Sequence, residues 1–419
     1  MTRIRRVVLW FLAVGLLAGA SVRAAAPGGG PEYRFPRIGL ANGVILHPGE
    51  GKDTYRTGKA VTLQELARYD LILTVRGPWS AEASWPVLRE KLDRIRQANP
   101  RIVIIGPSVQ AEVAHAEAST VPEGVRWHKP PDDAWLPDVA GRRLPGTAPG
   151  TFQLNLREQG VLEWLAGQCV EGVQGQGYDG VLLGGMGPAF PDWTLSRIAP
   201  GYTADADGDG IADDPADLRF LWQDAKRQLC ADVRERLGHD AVIVAGGTPQ
   251  TDFIYEDFNG WTTGTPLLEL RRGNARWEYE LQRYLLWTEA PHRPNTTMWI
   301  SVPDSAAPPE TEERALERMR FGLAATLMGD GCFAFVRKGR EEPWFPEFDV
   351  PLGRALGPAL ACDSGAWKRA FEGGVAVVNP TAEAATFALE TDHRDVSTGT
   401  VGREFTIPAR DGRLLVPAG

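Results

Sequence analysis

The chain has 419 residues, 43% of them apolar, enough to bury a sizeable core, so disorder is not its default. Fifty-four Asp and Glu outweigh 45 Lys and Arg, and the net charge of −9 comes with no basic stripe; nucleic acid and anionic membrane surfaces are therefore poor partners. Cys169, Cys230, Cys332 and Cys362 are scattered rather than spaced as CxxC, and the six histidines form no HExxH, which leaves zinc chemistry without support.

Residues 1–24 read as a secretory signal. Arg3, Arg5 and Arg6 form a positive start, Val7 to Ala20 an apolar run, and Val22-Arg23-Ala24 a small-residue cleavage site. The run is shorter than the ~20 residues of a comfortable membrane span. The expectation is a secreted or periplasmic protein with no membrane contact beyond the signal, an uncleaved anchor being the alternative. Four arginines and no acidic residue lie in 1–24, so the rest of the chain carries −13 in place of −9. Export permits disulfides. A bridge between Cys169 and Cys230 on neighbouring helices stands beside the simpler reading of buried free thiols.

Beyond a Pro/Gly-rich spacer at 25–34, short apolar runs alternate with helical patterns. Strands are expected at Arg37–Ala41, Leu71–Val75, Ile102–Ile105, Gly180–Leu183, Val242–Ala245, Phe253–Tyr255, Thr297–Val302 and Cys332–Val336. Helices are expected at Leu63–Tyr69, Trp85–Ala98, Gly160–Gln174, Leu218–Leu237, Ala275–Trp287 and Thr311–Met328. Eight such units predict an α/β fold, a (β/α)8 TIM barrel over 35–359. An open doubly wound sheet is the alternative, but no GxGxxG follows the first strand. After Leu360 strands follow one another without helices, at Gly373–Asn379, Ala384–Leu389, Thr400–Ile407 and Arg413–Val416, and predict a small antiparallel, sandwich-like β domain over 360–419.

The stretch from Gly177 to Asp217 organises the rest. A short buried strand opens it, and a long polar loop follows, the way a barrel exposes its working face. Asp179 precedes that strand and is expected to anchor backbone rather than react. Within the loop, Asp205, Asp207 and Asp209 occupy positions 1, 3 and 5 of an oxygen-ligand calcium loop, with Gly210 at 6 and the Ile211 carbonyl at 7. Ala216 stands where an EF-hand has its bidentate Glu, so Asp213, or else Asp217, would complete the shell. A structural calcium ion is expected, against the alternative of a solvated acidic turn. No organic cofactor is expected.

Glycosidic cleavage uses two carboxyl groups across the scissile bond, and on a barrel these belong at the ends of different strands. Glu256 closes the run Phe253-Ile-Tyr-Glu, Asp304 follows the seventh strand, and Glu347 with Asp349 follows the eighth. Fourteen tryptophans suit a carbohydrate cleft, where an indole packs on the apolar face of a sugar. Trp79, Trp193, Trp299 and Trp344, with Asp192, are the candidate substrate contacts. There is no GxSxG nucleophile elbow.

The segments GYDGVLLGG, FIYEDFNG, RFGLAATLMGDGCFAF, EPWFPEFDVPLGRALGPA and AWKRAFEGGVAVVNPT, in that order, resemble the bacterial hypothetical glycosyl hydrolases. This glycoside-hydrolase-like 15 group has a TIM-barrel fold, and the likeness runs from about residue 36 to 390. It implies a hydrolase directed at a poly- or oligosaccharide. It also implies that Glu256 matches the strand-end Glu of the family, and Glu347 and Asp349 the acids of its Trp-Tyr-Asp-Glu-Phe-Asp stretch. Where family members read DGIFLD, this chain has Gly184 in place of the final Asp. Asp192 or Asp304 would then have to substitute. Three readings result: a glycoside hydrolase, a sugar-binding barrel without catalysis, and an envelope protein using the barrel as an interaction platform. Oligomeric state stays open.

Overall fold

In a computed structural model the described residues are 33–41, 43–47, 52–55, 57–74, 85–121, 128–187, 190–247, 255–273, 275–289, 292–337 and 344–419. Eight parallel strands pair in chain order: β1 (Gly39–Leu40), β2 (Leu71–Leu73), β3 (Val103–Gln110), β4 (Gly180–Gly184), β5 (Val242–Gly246), β6 (Gly260–Thr263), β7 (Met298–Ser301) and β8 (Cys332–Phe335). The sheet closes through a parallel bridge between Ile38 and Phe333, whose N–H donates to the Arg37 carbonyl at 2.8 Å. This is a TIM barrel.

Alternation along each strand separates two apolar layers. Leu71, Leu73, Val103, Ile105, Val242 and Val244 fill the lumen, while Ile72, Ile104, Ile243 and Trp299 face outward to the helices. Those helices are α1 (Leu63–Leu66), α2 (Trp85–Ala98), α3 (Gln159–Val170), α4 (Pro215–Leu237), α5 (Thr265–Arg272), α6 (Trp277–Thr288) and α7 (Glu312–Thr326). Asp214 caps α4, its carboxylate accepting from the Ala216 N–H at 2.7 Å, with Pro215 opening the helix. Cys169 and Cys230 are buried free thiols, as are the other cysteines free, so the disulfide alternative is not realised.

The sixth strand departs from expectation. Tyr255–Asp257 is a 3-10 turn, residues 253 and 254 lie outside the described residues, and the strand is Gly260–Thr263. Its sequence, Gly-Trp-Thr-Thr, carries a single large apolar residue and gives no run to read. Gly260 is required by space, because a Cβ there would meet the Thr297 N–H and lie 2.6 Å from the Thr296 carbonyl carbon. Helix α5 follows directly and was not anticipated either.

The C-terminal region is built on one six-stranded antiparallel sheet. Its strands are β9 (Leu360–Ala361), β10 (Trp367–Phe371), β11 (Gly374–Asn379), β12 (Ala385–Asp395), β13 (Val401–Ile407) and β14 (Asp411–Pro417), in the order β9-β10-β11-β14-β12-β13. Ala376, Val378 and Leu414 join the main core, and Val377, Phe387, Phe405 and Leu415 form a second cluster. Arg320 on α7 reaches Asp411 with two hydrogen bonds of 3.0 and 2.9 Å. Barrel and sheet thus share the compact unit Tyr33–Gly419.

Candidate active site

The C-terminal ends of parallel barrel strands are where side chains can converge on a ligand. Polar groups at the ends of β3, β4 and β7 are the ones that bear on chemistry among the described residues. β3 ends in a bulged stretch whose register with β4 shifts between Ile105 and Ser108. There Gln110 Nε2 donates to Ser108 Oγ at 2.8 Å, and the half-buried Gln110 side chain lies over Gly184, the last residue of β4. A Cβ at 184 would fall inside the Gln110 amide. The end of β4 therefore carries no side chain, and an amide from β3 fills its place.

Two residues past β3, Glu112 meets Lys226 of α4. Lys226 Nζ donates to Glu112 Oε1 at 2.6 Å and to the Gly187 carbonyl at 2.8 Å. Burial pushes the Glu112 carboxyl above the ordinary carboxylate range, and the Lys226 charge opposes that shift without cancelling it. Neither residue has a sequence motif. The signal that could have found Glu112 is its place just beyond a strand end, between the apolar Ala111 and Val113.

After β4, the segment carrying Asp192 and Trp193 runs over α4. The Trp193 indole is 50% exposed, and Asp192 accepts from Arg219 at 2.6 Å. Past β7, Asp304 accepts from Arg272 Nε at 2.8 Å and from the Ala306 N–H at 2.9 Å. The Arg272 hydrogen bond, aided by that N–H, holds the Asp304 carboxyl below its usual range, so it stays ionised.

The other expected site residues lie elsewhere. Glu256 stands on the entry side of β6. The carbonyl of its neighbour Asp257 accepts from Arg234 at 2.7 Å, and the same guanidinium reaches the Ala241 carbonyl just before β5. That is the opposite end of the strands from Asp304, because the strand that was to place Glu256 at the mouth is a 3-10 turn. Trp299 is fully buried, stacked on Tyr284 of α6 with centroids 4.0 Å apart. It faces the helices, so it cannot meet a sugar. Trp344 packs against Tyr69 at 5.3 Å and lies under the Arg68 guanidinium, with its N–H on Asp349 at 2.9 Å. Tyr69 precedes β2, which puts Trp344 on the outer wall. Glu347, in the 3-10 turn Pro346–Asp349, is buried within reach of the Arg320 charge on α7. This turn covers the outer face of β8, Phe348 contacting Phe333 at 5.9 Å, so its acids do not point into the mouth. Trp79 lies outside the described residues.

In the acidic loop, one carboxylate oxygen from each of Asp205, Asp207 and Asp209 lies within 4.8 Å of the others. Asp213 is not among them; its carboxylate accepts from the Ala206 N–H at 2.5 Å. The Ile211 N–H donates to Asp209 Oδ1 at 2.7 Å, and the Ile211 side chain is exposed. Three convergent carboxylates suit a hard divalent cation with oxygen preference.

The model of hypothetical glycosyl hydrolase family 15 matches residues 103–375. The chain belongs to hypothetical glycosyl hydrolase family 15. The match to this glycosyl hydrolase family runs from β3 into the C-terminal sheet, so it takes in both the mouth and the acidic loop. No curated protein matches the chain. Among solved structures, this family member is similar to a noncanonic maltogenic alpha-amylase of Thermotoga neapolitana, with 10% identity over 84% of this chain and 92% of that one and a TM-score of 0.48. It is also similar to an alpha-amylase of Geobacillus thermoleovorans, with 11% identity over 90% and 97% and a TM-score of 0.47. A GH36 alpha-galactosidase of Geobacillus stearothermophilus aligns with 11% identity over 84% and 53% and a TM-score of 0.45. Among the described residues no helix is long and apolar enough to cross a membrane.

Proposed function

We propose that the protein is an exported glycoside hydrolase that cleaves a poly- or oligosaccharide at the C-terminal mouth of its barrel by carboxylate acid/base chemistry. Membership in a glycosyl hydrolase family is the observation that carries this reading. In it, Asp304 is the ionised carboxylate, kept so by Arg272, and acts as nucleophile or base opposite a second carboxyl group that protonates the leaving oxygen. Trp193 offers an exposed ring face to a sugar, and Asp192 beside it accepts hydroxyl hydrogen bonds. A calcium ion on Asp205, Asp207 and Asp209 would pin the loop beside that platform without touching the chemistry.

Purified protein lacking residues 1–24 is incubated with starch, dextran, xylan, mannan, pectin and β-glucan, and reducing ends are counted. Turnover that falls by a factor of ~10²–10⁴ in Asp304→Asn is the expected result. Turnover unchanged in that variant would remove Asp304 from the chemistry. Chelator is expected to lower the melting temperature and leave kcat on the surviving fold intact.

The Gln110 amide over Gly184 favours a second reading, a sugar-binding barrel without catalysis. Saturable binding of one of these glycans with no reducing-end release would select it.

A further inference from the structure

Helix α4 presents Arg219, Trp222 and Lys226 on one face, since steps of three and four residues return to nearly the same direction at 3.6 residues per turn. Each holds a different point of the segment that follows β4. Arg219 donates to Asp192 at 2.6 Å, the Trp222 ring stacks on Phe190 with centroids 4.2 Å apart, and Lys226 donates to the Gly187 carbonyl at 2.8 Å. Lys226 also donates to Glu112 at 2.6 Å, which ties the start of the same segment to the end of β3. Gly185 closes the arrangement. It adopts φ +74°, and a Cβ there would lie 3.4 Å from Glu112 Cγ and 3.5 Å from Oε2.

The side chains of Lys226 and Glu112 are 5% and 10% exposed. Removing two charges from water costs about what their attraction returns, and apolar replacements of similar volume are often neutral or stabilising. Stability therefore does not account for this pair. Its geometry does something an apolar pair could not: one ammonium fixes a backbone carbonyl after β4 and a carboxylate after β3 at the same point.

We infer that Glu112 and Lys226 are positioning residues, which with Arg219 and Trp222 hold the β4–α4 segment so that Trp193 and Asp192 meet the sugar in a fixed orientation. The inference rests on the reading above that these two residues contact substrate.

The test uses the double variant Glu112→Leu/Lys226→Met in the full chain beyond residue 24. Its melting temperature is expected to stay within about 4 °C of wild type. Hydrogen exchange at the Leu195 and Ala199 amides, which donate to the Pro191 and Thr194 carbonyls at 2.8 and 2.9 Å, is expected to speed at least tenfold while β2 and β7 keep their protection. On the polysaccharide that wild type turns over, KM is expected to rise at least tenfold with kcat within threefold. Unchanged exchange overturns the inference whatever the turnover. Faster exchange with unchanged KM also overturns it, because the pair is then structural only. If wild type binds a glycan of the panel without cleaving it, the hydrolase reading fails, and the Kd of that glycan replaces KM in the same comparison. If wild type neither binds nor cleaves any of them, both readings fall.

Discussion

Asp304 and Glu256 follow barrel runs of similar appearance, yet their neighbours give them different chemistry. Asp304 lies past the end of β7 and is kept ionised by Arg272 and a backbone N–H. Glu256 sits in a 3-10 turn before β6, beside the Arg234 network that joins the entry ends of β5 and β6. Glu256→Gln is accordingly expected to leave kcat/KM within threefold, whereas Asp304→Asn lowers kcat by a factor of ~10²–10⁴; reducing-end release on one substrate measures both. Equal losses in the two variants would mean that the segment before β6 reaches the mouth. Single residues were legible where local backbone chemistry decides their role. Asp179 precedes a strand and does what that position predicts, accepting from the Ile104 N–H at 2.7 Å and from Arg96 at 2.8 Å. Tryptophans were not legible in this way. Trp222, Trp261, Trp287 and Trp299 are fully buried, and a sequence does not distinguish an indole that packs under a helix from one that faces a cleft.

Seven of the eight barrel strands were readable because their apolar runs are continuous, as expected of strands buried on both faces. β6 was not, since Thr262 and Thr263 contribute buried polar side chains and Trp261 alone packs outward. The segment after β8 misled for a related reason. Trp-Phe-Pro-Glu-Phe-Asp looks like a strand-end site, but its rings pack on the outer wall, on Tyr69 and Phe333. The slot at the end of β4 is the reverse case: Gly184 is legible as a missing side chain, but what fills it comes from another strand. Gly184 has no left-handed backbone, and what stands where a Cβ would go is only the end of the Gln110 side chain. Gly184→Ala is therefore expected to swing the flexible, half-buried Gln110 amide aside at a cost below ~1 kcal/mol. Because Gln110 stands at the mouth, the same change is expected to raise KM severalfold. A melting temperature lowered by more than about 4 °C would instead show the amide to be fixed by its surroundings.

At the scale of the whole molecule, the acids divide by depth. Asp70, Glu112 and Asp179 are all pushed upward by burial, and each is only partly compensated: Asp70 by the Ile38 N–H, Glu112 by Lys226, and Asp179 by the Ile104 N–H and Arg96. A carboxyl whose folded pKa exceeds its unfolded value binds its proton more tightly when folded. Its contribution to stability is fully present below the unfolded pKa and is lost as pH rises through the folded one. Acids held low by a partner, such as Asp304, act in the opposite sense but below the ordinary carboxylate range. From just above that range upward, the three raised acids work against His292. Its imidazole is held below its ordinary value by burial and by the Arg234 charge, and so favours higher pH. The acids outnumber it and set the sign. The excess of acids adds to it, because the charge of −13 beyond residue 24 repels itself more as pH rises. The melting temperature is thus expected to be higher near pH ~5.5 than at pH ~8, unlike a protein whose acids are mainly salt-bridged and stabilised at neutrality. Salt separates the two causes. Repulsion between exposed charges is screened when the Debye length falls to ~3 Å at 1 M, while buried carboxyl groups are screened far less. Scanning calorimetry at both pH values, in low salt and in 1 M NaCl, should retain part of the difference in high salt, and Glu112→Gln should reduce that remainder. A difference that vanishes completely in 1 M NaCl would assign it to net charge, and a melting temperature that climbs from pH 5.5 to 8 would show the buried acids to be ionised and paired.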